Sequence, residues 1–208
     1  MGRGRFISLE GGEGVGKSTQ LRALAALLGE RGIEVVTTRE PGGSAGAEAI
    51  RELLLTGDDA RWSPRVEALL FAAARSDHVE KTIRPALAEG KWVISDRFLD
   101  SSLAYQGGGA ELGIDSIYQL HEFGSDGFLP DRTLVLILGE GEGTQRAQAR
   151  DGGTADRIGG RGRRYHDSVE RTFRAISSEK PARVRLVDAS GTPADVTARL
   201  VAELTDLW

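Results

Sequence analysis

Eight residues near the start of the chain, Gly11-Gly12-Glu13-Gly14-Val15-Gly16-Lys17-Ser18, constrain its fold more than any other segment. They follow a short apolar run, Phe6 to Leu9, and lead through Thr19 into an amphipathic stretch, Ser18 to Arg31. A glycine-rich turn of the form GxxxxGK followed by Ser, set between a strand and a helix, is the P-loop pattern. Its glycines let successive backbone N–H groups converge on phosphate oxygens, and the helix N-terminus adds a favourable dipole. The pattern points to a nucleoside triphosphate, with Lys17 bridging the β- and γ-phosphates and the Ser18 hydroxyl holding Mg²⁺.

The rest of the chain reads as a parallel sheet built around that loop. Further short apolar runs lie at Glu34 to Thr38, Trp92 to Ser95, Thr133 to Leu138 and Val184 to Val187. Helical patterns separate them at Ser18 to Arg31, Ala45 to Leu55, Pro64 to Glu89 and Asp195 to Leu207. Alternation of this kind predicts an α/β fold, a five-stranded parallel sheet flanked by helices, in a single domain over residues 1–208. The stretch Gly139 to Arg164 is rich in Gly and Arg and poor in large apolar residues, which predicts a mobile segment, and a simple surface loop would read the same way. Eight arginines between Arg146 and Arg174, against four acids, suggest that its partner is anionic.

Composition excludes several functions. With 31 acidic and 27 basic residues the net charge is −4, which argues against a nucleic-acid binder. The absence of cysteine removes disulfides, thiolate metal sites and thiol nucleophiles. Asparagine is absent as well, which removes the NKxD guanine-reading motif of GTPases. No apolar run approaches the ~20 residues of a membrane span, and the opening MGRGRFISLE lacks a signal-peptide core, so a cytoplasmic protein is expected.

Candidate acceptor residues follow from the same topology. The third strand ends in Asp96-Arg97, which must emerge beside the P-loop because the carboxyl ends of parallel strands share one edge. An acid there can orient Mg²⁺ or its waters, and an arginine can grip a phosphate bidentately. Phe71 and Arg75 stand one helical turn apart, an aromatic face beside a guanidinium that suits a planar base, although a core Phe with a snorkelling Arg has the same spacing.

Together the segments EGGEGVGKST, TREPGGS, LLFAAAR, SDRFLDSSLAYQG, FLPDRTLVL, ADRI and VDAS resemble thymidylate kinase over nearly the whole chain. The resemblance implies the P-loop NTPase fold and transfer of phosphate from Mg-ATP to dTMP, giving dTDP for dTTP biosynthesis. ATP would occupy Gly11 to Thr19, with adenine near Asp188-Ala189-Ser190. Glu13 would meet the deoxyribose 3′-hydroxyl. Phe71 would stack on thymine and Arg75 would lie near its O4, with Ser102 and Gln106 lining the base pocket and Tyr105 crowding the 2′ position. Arg39, Arg51 and Arg97 are the candidates for the acceptor phosphate, beside the Glu40-Pro41 step. Lys17, Arg97, Arg157 and Asp96 would form the catalytic set, with Ser18 and Asp96 toward the metal. The P-loop position that carries an arginine in some members is Gly14 here, so the resemblance implies a mobile lid over about 146–164 that supplies the transition-state arginine: Arg157 first, with Arg150 and Arg161 as rivals. Members are usually homodimers, and the helix Ile114 to Phe123 could serve that contact.

Two departures from the family pattern stand out. Ala74 replaces the acid usual before the base-reading arginine, so Arg75 is expected to be less rigidly oriented. Ile137-Leu138-Gly139-Glu140-Gly141 replaces an Asp-Pro step, and Gly152, Gly153, Gly159 and Gly160 are expected to loosen the lid. The histidines His78, His121 and His166 lack zinc-ligand spacing and read as structural or solvent-facing; Trp62, Trp92 and Trp208 read as packing residues. The competing readings are a UMP or CMP kinase and a P-loop switch or ATPase without a small acceptor. In the latter, Glu10 stands where partition-type ATPases carry a second lysine.

Overall fold

The computed structural model describes residues 3–139, 142–143 and 157–208. Arg150, Asp156 and the glycines Gly141, Gly152 and Gly153 lie outside the described residues. So does most of the expected lid.

Five parallel strands form one sheet: β1 (Phe6–Gly11), β2 (Val35–Arg39), β3 (Trp92–Asp96), β4 (Arg132–Ile137) and β5 (Val184–Asp188), in the spatial order β2-β3-β1-β4-β5. Each matches an expected run to within two residues at either end. The helices are α1 (Lys17–Glu30), α2 (Ala45–Leu55), α3 (Pro64–His78), α4 (Arg84–Ala88), α5 (Leu99–Ser102), α6 (Ile114–Ser125), α7 (Arg163–Glu179) and α8 (Pro193–Ala202).

Period-two alternation sends the strand side chains to two separate cores. Ile7, Leu9, Ile94, Leu134 and Leu136 pack with Leu24 and Leu28 of α1 and Leu200 of α8. Phe6, Val93 and Val135 face Phe98, Leu99, Leu103 and the α7 stripe Val169, Phe173 and Ile176. On that second face the strands also bury Ser8, Glu10, Ser95 and Thr133. These polar groups lie beneath the site.

The single helix expected from Pro64 to Glu89 is interrupted. After α3 the chain forms a π turn, Val79–Ile83, before α4. Pro85 has no N–H to return to the preceding turn, and a widened register just upstream accommodates that loss. The last helix starts at Pro193, earlier than the expected Asp195, because Thr192 and Asp195 form a capping box and Pro193 occupies the first turn. It ends at Ala202, with a separate 3₁₀ turn at Thr205–Leu207. The long helix α7 has no counterpart among the expected helices, since its apolar stripe is sparse among arginines and acids. Trp92 is buried and stacks on Trp208, ring centroids 5.4 Å apart, as packing residues should.

The P-loop glycines differ in what they do for the fold. Gly11 has φ +128°, and a Cβ there would run into the Leu136 carbonyl of the neighbouring strand, whereas Gly12 has open space around it. Gly11→Ala should therefore lower the unfolding free energy by about 2 kcal/mol or more. Gly12→Ala should leave it nearly unchanged, and urea titration of the two variants checks the contrast.

Candidate active site

The P-loop leaves β1 at the carboxyl edge of the sheet, between the ends of β3 and β4, with the end of β2 one strand farther out. Gly16 caps α1 with φ +93°. Lys17, buried at the start of that helix, folds back so that Nζ donates to the carbonyls of Gly11 (3.1 Å) and Gly12 (2.7 Å). Burial, and then the Arg97 charge, push the Lys17 ammonium down to about 8, against the pull of Asp96, Glu13 and Glu10. Next to it the Ser18 hydroxyl donates to Asp96 Oδ2 at 3.1 Å, so the two proposed metal-side oxygens are adjacent.

Past Asp96 the chain makes a strained turn. Arg97 has φ +73°, a left-handed conformation uncommon outside glycine. Its N–H donates to the Leu9 carbonyl, and Ser95 Oγ donates to the Arg97 carbonyl. The guanidinium then donates to Gly11 O and Ser101 Oγ (both 3.1 Å) and to Glu13 Oε1 (2.6 Å), and lies 4.9 Å from the centre of the Tyr105 ring. The turn is held from below by Glu10, whose carboxylate accepts from Phe98 N–H, Ser8 Oγ and Ser101 Oγ. Burial, and then the Asp100 charge, push Glu10 up to about 7, opposed by the Ser101 and Ser8 hydroxyls and by Arg97.

A pocket opens between this turn and α3. Glu13, Arg97 and Ser101 form the end nearest the P-loop; Glu40, Pro41, Arg51 and Leu55 form one side; Phe71, Arg75, Phe98, Ser102, Tyr105, Gln106 and Ile158 complete it. Of the residues expected at the acceptor, Glu13, Pro41, Arg51, Phe71, Arg75, Arg97, Ser102, Tyr105 and Gln106 are thus brought together. Arg39 is not among them, because its exposed guanidinium pairs with Glu48. Arg51 donates to the Pro41 carbonyl at 2.6 Å, and the Glu40–Pro41 peptide is cis.

Arg75 is firmly held, contrary to the looseness expected from Ala74. Its Nε donates to Glu40 Oε2 at 2.8 Å and its NH2 to Ser102 Oγ at 2.7 Å and to the Phe98 carbonyl. Glu40, from the residue after β2, supplies the charge that the neighbouring acid would have supplied. His78 is structural, joining Glu40 to Thr38. Arg157 and Arg161 both reach Glu67, and Arg157 Nε also donates to the Leu54 carbonyl. Arg157 is fully enclosed there, on the acceptor side of the cleft.

Sequence reasoning gave no site role to three buried acids, Glu10, Glu40 and Glu67. Glu67 carried a readable signal: it precedes Phe71 and Arg75 at the same four-residue interval, an acid on the helix face that carries that pair. Glu10 had a weaker one, an acid in line with Phe6 and Ser8 on an alternating strand.

Residues 9–200 match the thymidylate kinase family. The chain is 57% identical over 204 residues to a thymidylate kinase of Rhizorhabdus wittichii, covering 98% of both chains. It is 48% identical over 200 residues to one of Caulobacter vibrioides, covering 96% of this chain and 95% of the other. Its fold is similar to the crystal structure of thymidylate kinase from Ehrlichia chaffeensis, with a TM-score of 0.79 and 31% identity, over 99% of this chain and all of that one.

The raised Glu10 carboxyl has a thermodynamic consequence. Folding favours its protonated form, so its contribution to stability is fully present below about pH 4.5 and is lost as the pH rises through about 7. Relative to Glu10→Gln, the wild-type chain should lose about 1.4 kcal/mol of unfolding free energy per pH unit between those limits. Paired urea titrations across that range check this; parallel pH profiles would show that the group does not titrate there.

Proposed function

The chain belongs to the thymidylate kinase family, whose members phosphorylate dTMP to dTDP with ATP, and we propose that it performs this transfer where the P-loop meets the pocket described above. It is thus a nucleotide-binding phosphotransferase. One observation carries the site assignment: the Arg97 guanidinium lines the pocket while bonding to Gly11 and Glu13 of the P-loop. A phosphate held by Arg97 therefore faces one cradled by the loop.

On this reading ATP lies along Gly11, Gly12, Glu13, Gly14, Val15, Gly16, Lys17, Ser18 and Thr19. Lys17 exchanges its carbonyl partners for phosphate oxygens. dTMP enters the pocket with thymine against Phe71, Arg75 near O4, and Ser102 and Gln106 at the base edge. Glu13 and Tyr105 border the sugar, and Arg97 and Arg51 hold the phosphate. The acceptor is already an anionic nucleophile, so Asp96 has no proton to remove. Positioning and charge neutralisation supply the catalysis.

The residues present fit Mg²⁺. Ser18 and Asp96 offer one hydroxyl and one carboxylate side by side, a hard-oxygen pair suited to an ion that keeps waters and takes the rest of its ligands from phosphates. Among the described residues no cluster of three or more His, Asp or Glu could hold a metal without such help. When bound, the ion neutralises phosphate charge; Ser18 and Asp96 fix where it does so.

We assign the transition-state arginine to the lid segment, with Arg157 first by its ADRI context and Arg150 and Arg161 as rivals. We also propose a homodimer acting in the cytoplasm. Supporting the first, α3 and α6 pack together and leave Leu69 and Phe123 exposed, Phe123 by 94%. Supporting the second, no helix among the described residues is long and apolar enough to cross a membrane.

A panel of nucleoside monophosphates in a coupled assay tests the acceptor: dTMP should exceed UMP and CMP by orders of magnitude in kcat/KM, and preference for UMP would overturn the assignment. Lys17→Ala should remain folded and lose transfer. Single alanine variants at Arg150, Arg157 and Arg161 should divide. Loss of the transition-state arginine should cost roughly 10³ in kcat, whereas loss of an anchoring arginine should raise the KM for dTMP instead.

A further inference from the structure

Glu67 is fully enclosed behind the acceptor pocket, which its partner Gln106 lines. A bare carboxylate there would cost several kcal/mol, so its partners determine what it does. Oε2 accepts from Arg157 NH2 (2.5 Å) and Arg161 NH2 (2.6 Å), and Oε1 accepts from Gln106 Nε2 (3.1 Å). All three partners are donors, from elements far apart in sequence.

Two effects follow for the pocket. A carboxylate can only accept, so it must face the NH₂ group of Gln106, which leaves the Gln106 carbonyl as the acceptor available to a ring N–H. The arginine pair also carries the far wall. Arg157 holds the chain at Ile158, which lines the pocket, and ties it to Leu54 at the end of α2. Arg161 donates to the Tyr165 hydroxyl (2.8 Å), which in turn donates to the Tyr105 carbonyl (3.0 Å). Gln106 and Tyr105 are successive residues of the π turn Leu103–Gly109, so one carboxylate reaches that turn by two routes.

We infer that Glu67 is a positioning residue for the acceptor: it sets the hydrogen-bonding polarity of Gln106 and binds the basic edge of the lid to the base-side wall of the pocket. Its action is through Gln106, Arg157 and Arg161, not by contact with either nucleotide. The inference rests on the assignment of dTMP to this pocket.

Steady-state kinetics with Glu67→Gln, varying dTMP and ATP separately, tests it. An amide at this position keeps the shape but removes the counter-charge and frees Gln106 to turn. KM for dTMP should rise about tenfold and kcat/KM for dTMP over dCMP should narrow, while KM for ATP stays within twofold. Tyr165→Phe is the second arm, since it deletes only the hydroxyl that links Arg161 to the Tyr105 carbonyl. It should raise the dTMP KM with kcat little changed, and it decides the matter alone if Glu67→Gln does not fold. A folded Glu67→Gln with wild-type dTMP KM and selectivity, or a loss shared equally by ATP, would overturn the inference, as would a Tyr165→Phe effect confined to kcat. Wild-type turnover of dTMP in the same assay is the control. Its absence would refute the acceptor assignment, whereas its presence beside unaffected variants would refute the role of Glu67 only.

Discussion

Enclosed guanidinium groups and the acids that offset them govern the architecture of this cleft. A site that brings two polyanions together needs concentrated positive charge, and such charge is unstable in a folded chain unless something offsets it first. Here four arginines of the cleft, buried or half-buried, are each offset by an acid. Arg75 has Glu40, Arg97 has Glu13, and Arg157 and Arg161 share Glu67. The acids neutralise the pocket and also aim it, because a guanidinium fork bonded on one edge presents its other edge in a fixed direction.

The sheet makes this arrangement possible. Parallel strands deliver the P-loop, the residue after β2 and the turn after β3 to one edge, within reach of one another. Strand alternation then decides which face carries polar groups. Ile7 and Leu9 seal one core, while Ser8 and Glu10 face the other, where the Phe98 N–H and the Ser101 hydroxyl complete them. The left-handed backbone at Arg97 is tolerable because hydrogen bonds from Leu9, Ser95 and Glu10 determine the turn from three sides. Asp100 is anchored similarly, by Thr133 of β4 and by Arg183.

Features governed by local chemistry could be read from the sequence. The P-loop, the five strands and the Phe71–Arg75 pair depend on residue type and short-range spacing, and each is found where it was expected. The acids were opaque because their role is set by partners 35 to 94 residues away: Glu40 with Arg75, Glu67 with Gln106, Arg157 and Arg161. The substitution at Ala74 misled for the same reason, since the missing charge is restored from another element. The π turns at Val79–Ile83 and Leu103–Gly109 also have no periodic signature of their own. In the first, Pro85 broke a pattern that hydropathy alone continued.

On the proposed assignment, the two ends of the cleft divide the work between lysine and arginine. Lys17 holds carbonyls of its own loop with a compact ammonium on a flexible stem, and burial has already weakened its hold on the proton. Such a group can shift onto a phosphate as the donor arrives, exchanging weak partners for a charged one. Arg97 cannot shift in this way, because Gly11, Ser101 and Glu13 fix its fork and Tyr105 lies against its face. The donor side is therefore adaptable and the acceptor side preorganised. Since Glu13 and Gly11 belong to the P-loop, binding at the adaptable end is felt directly at the rigid one. Alignment of the two phosphates then needs only local rearrangement of Lys17, with the sheet and the Arg97 turn unchanged.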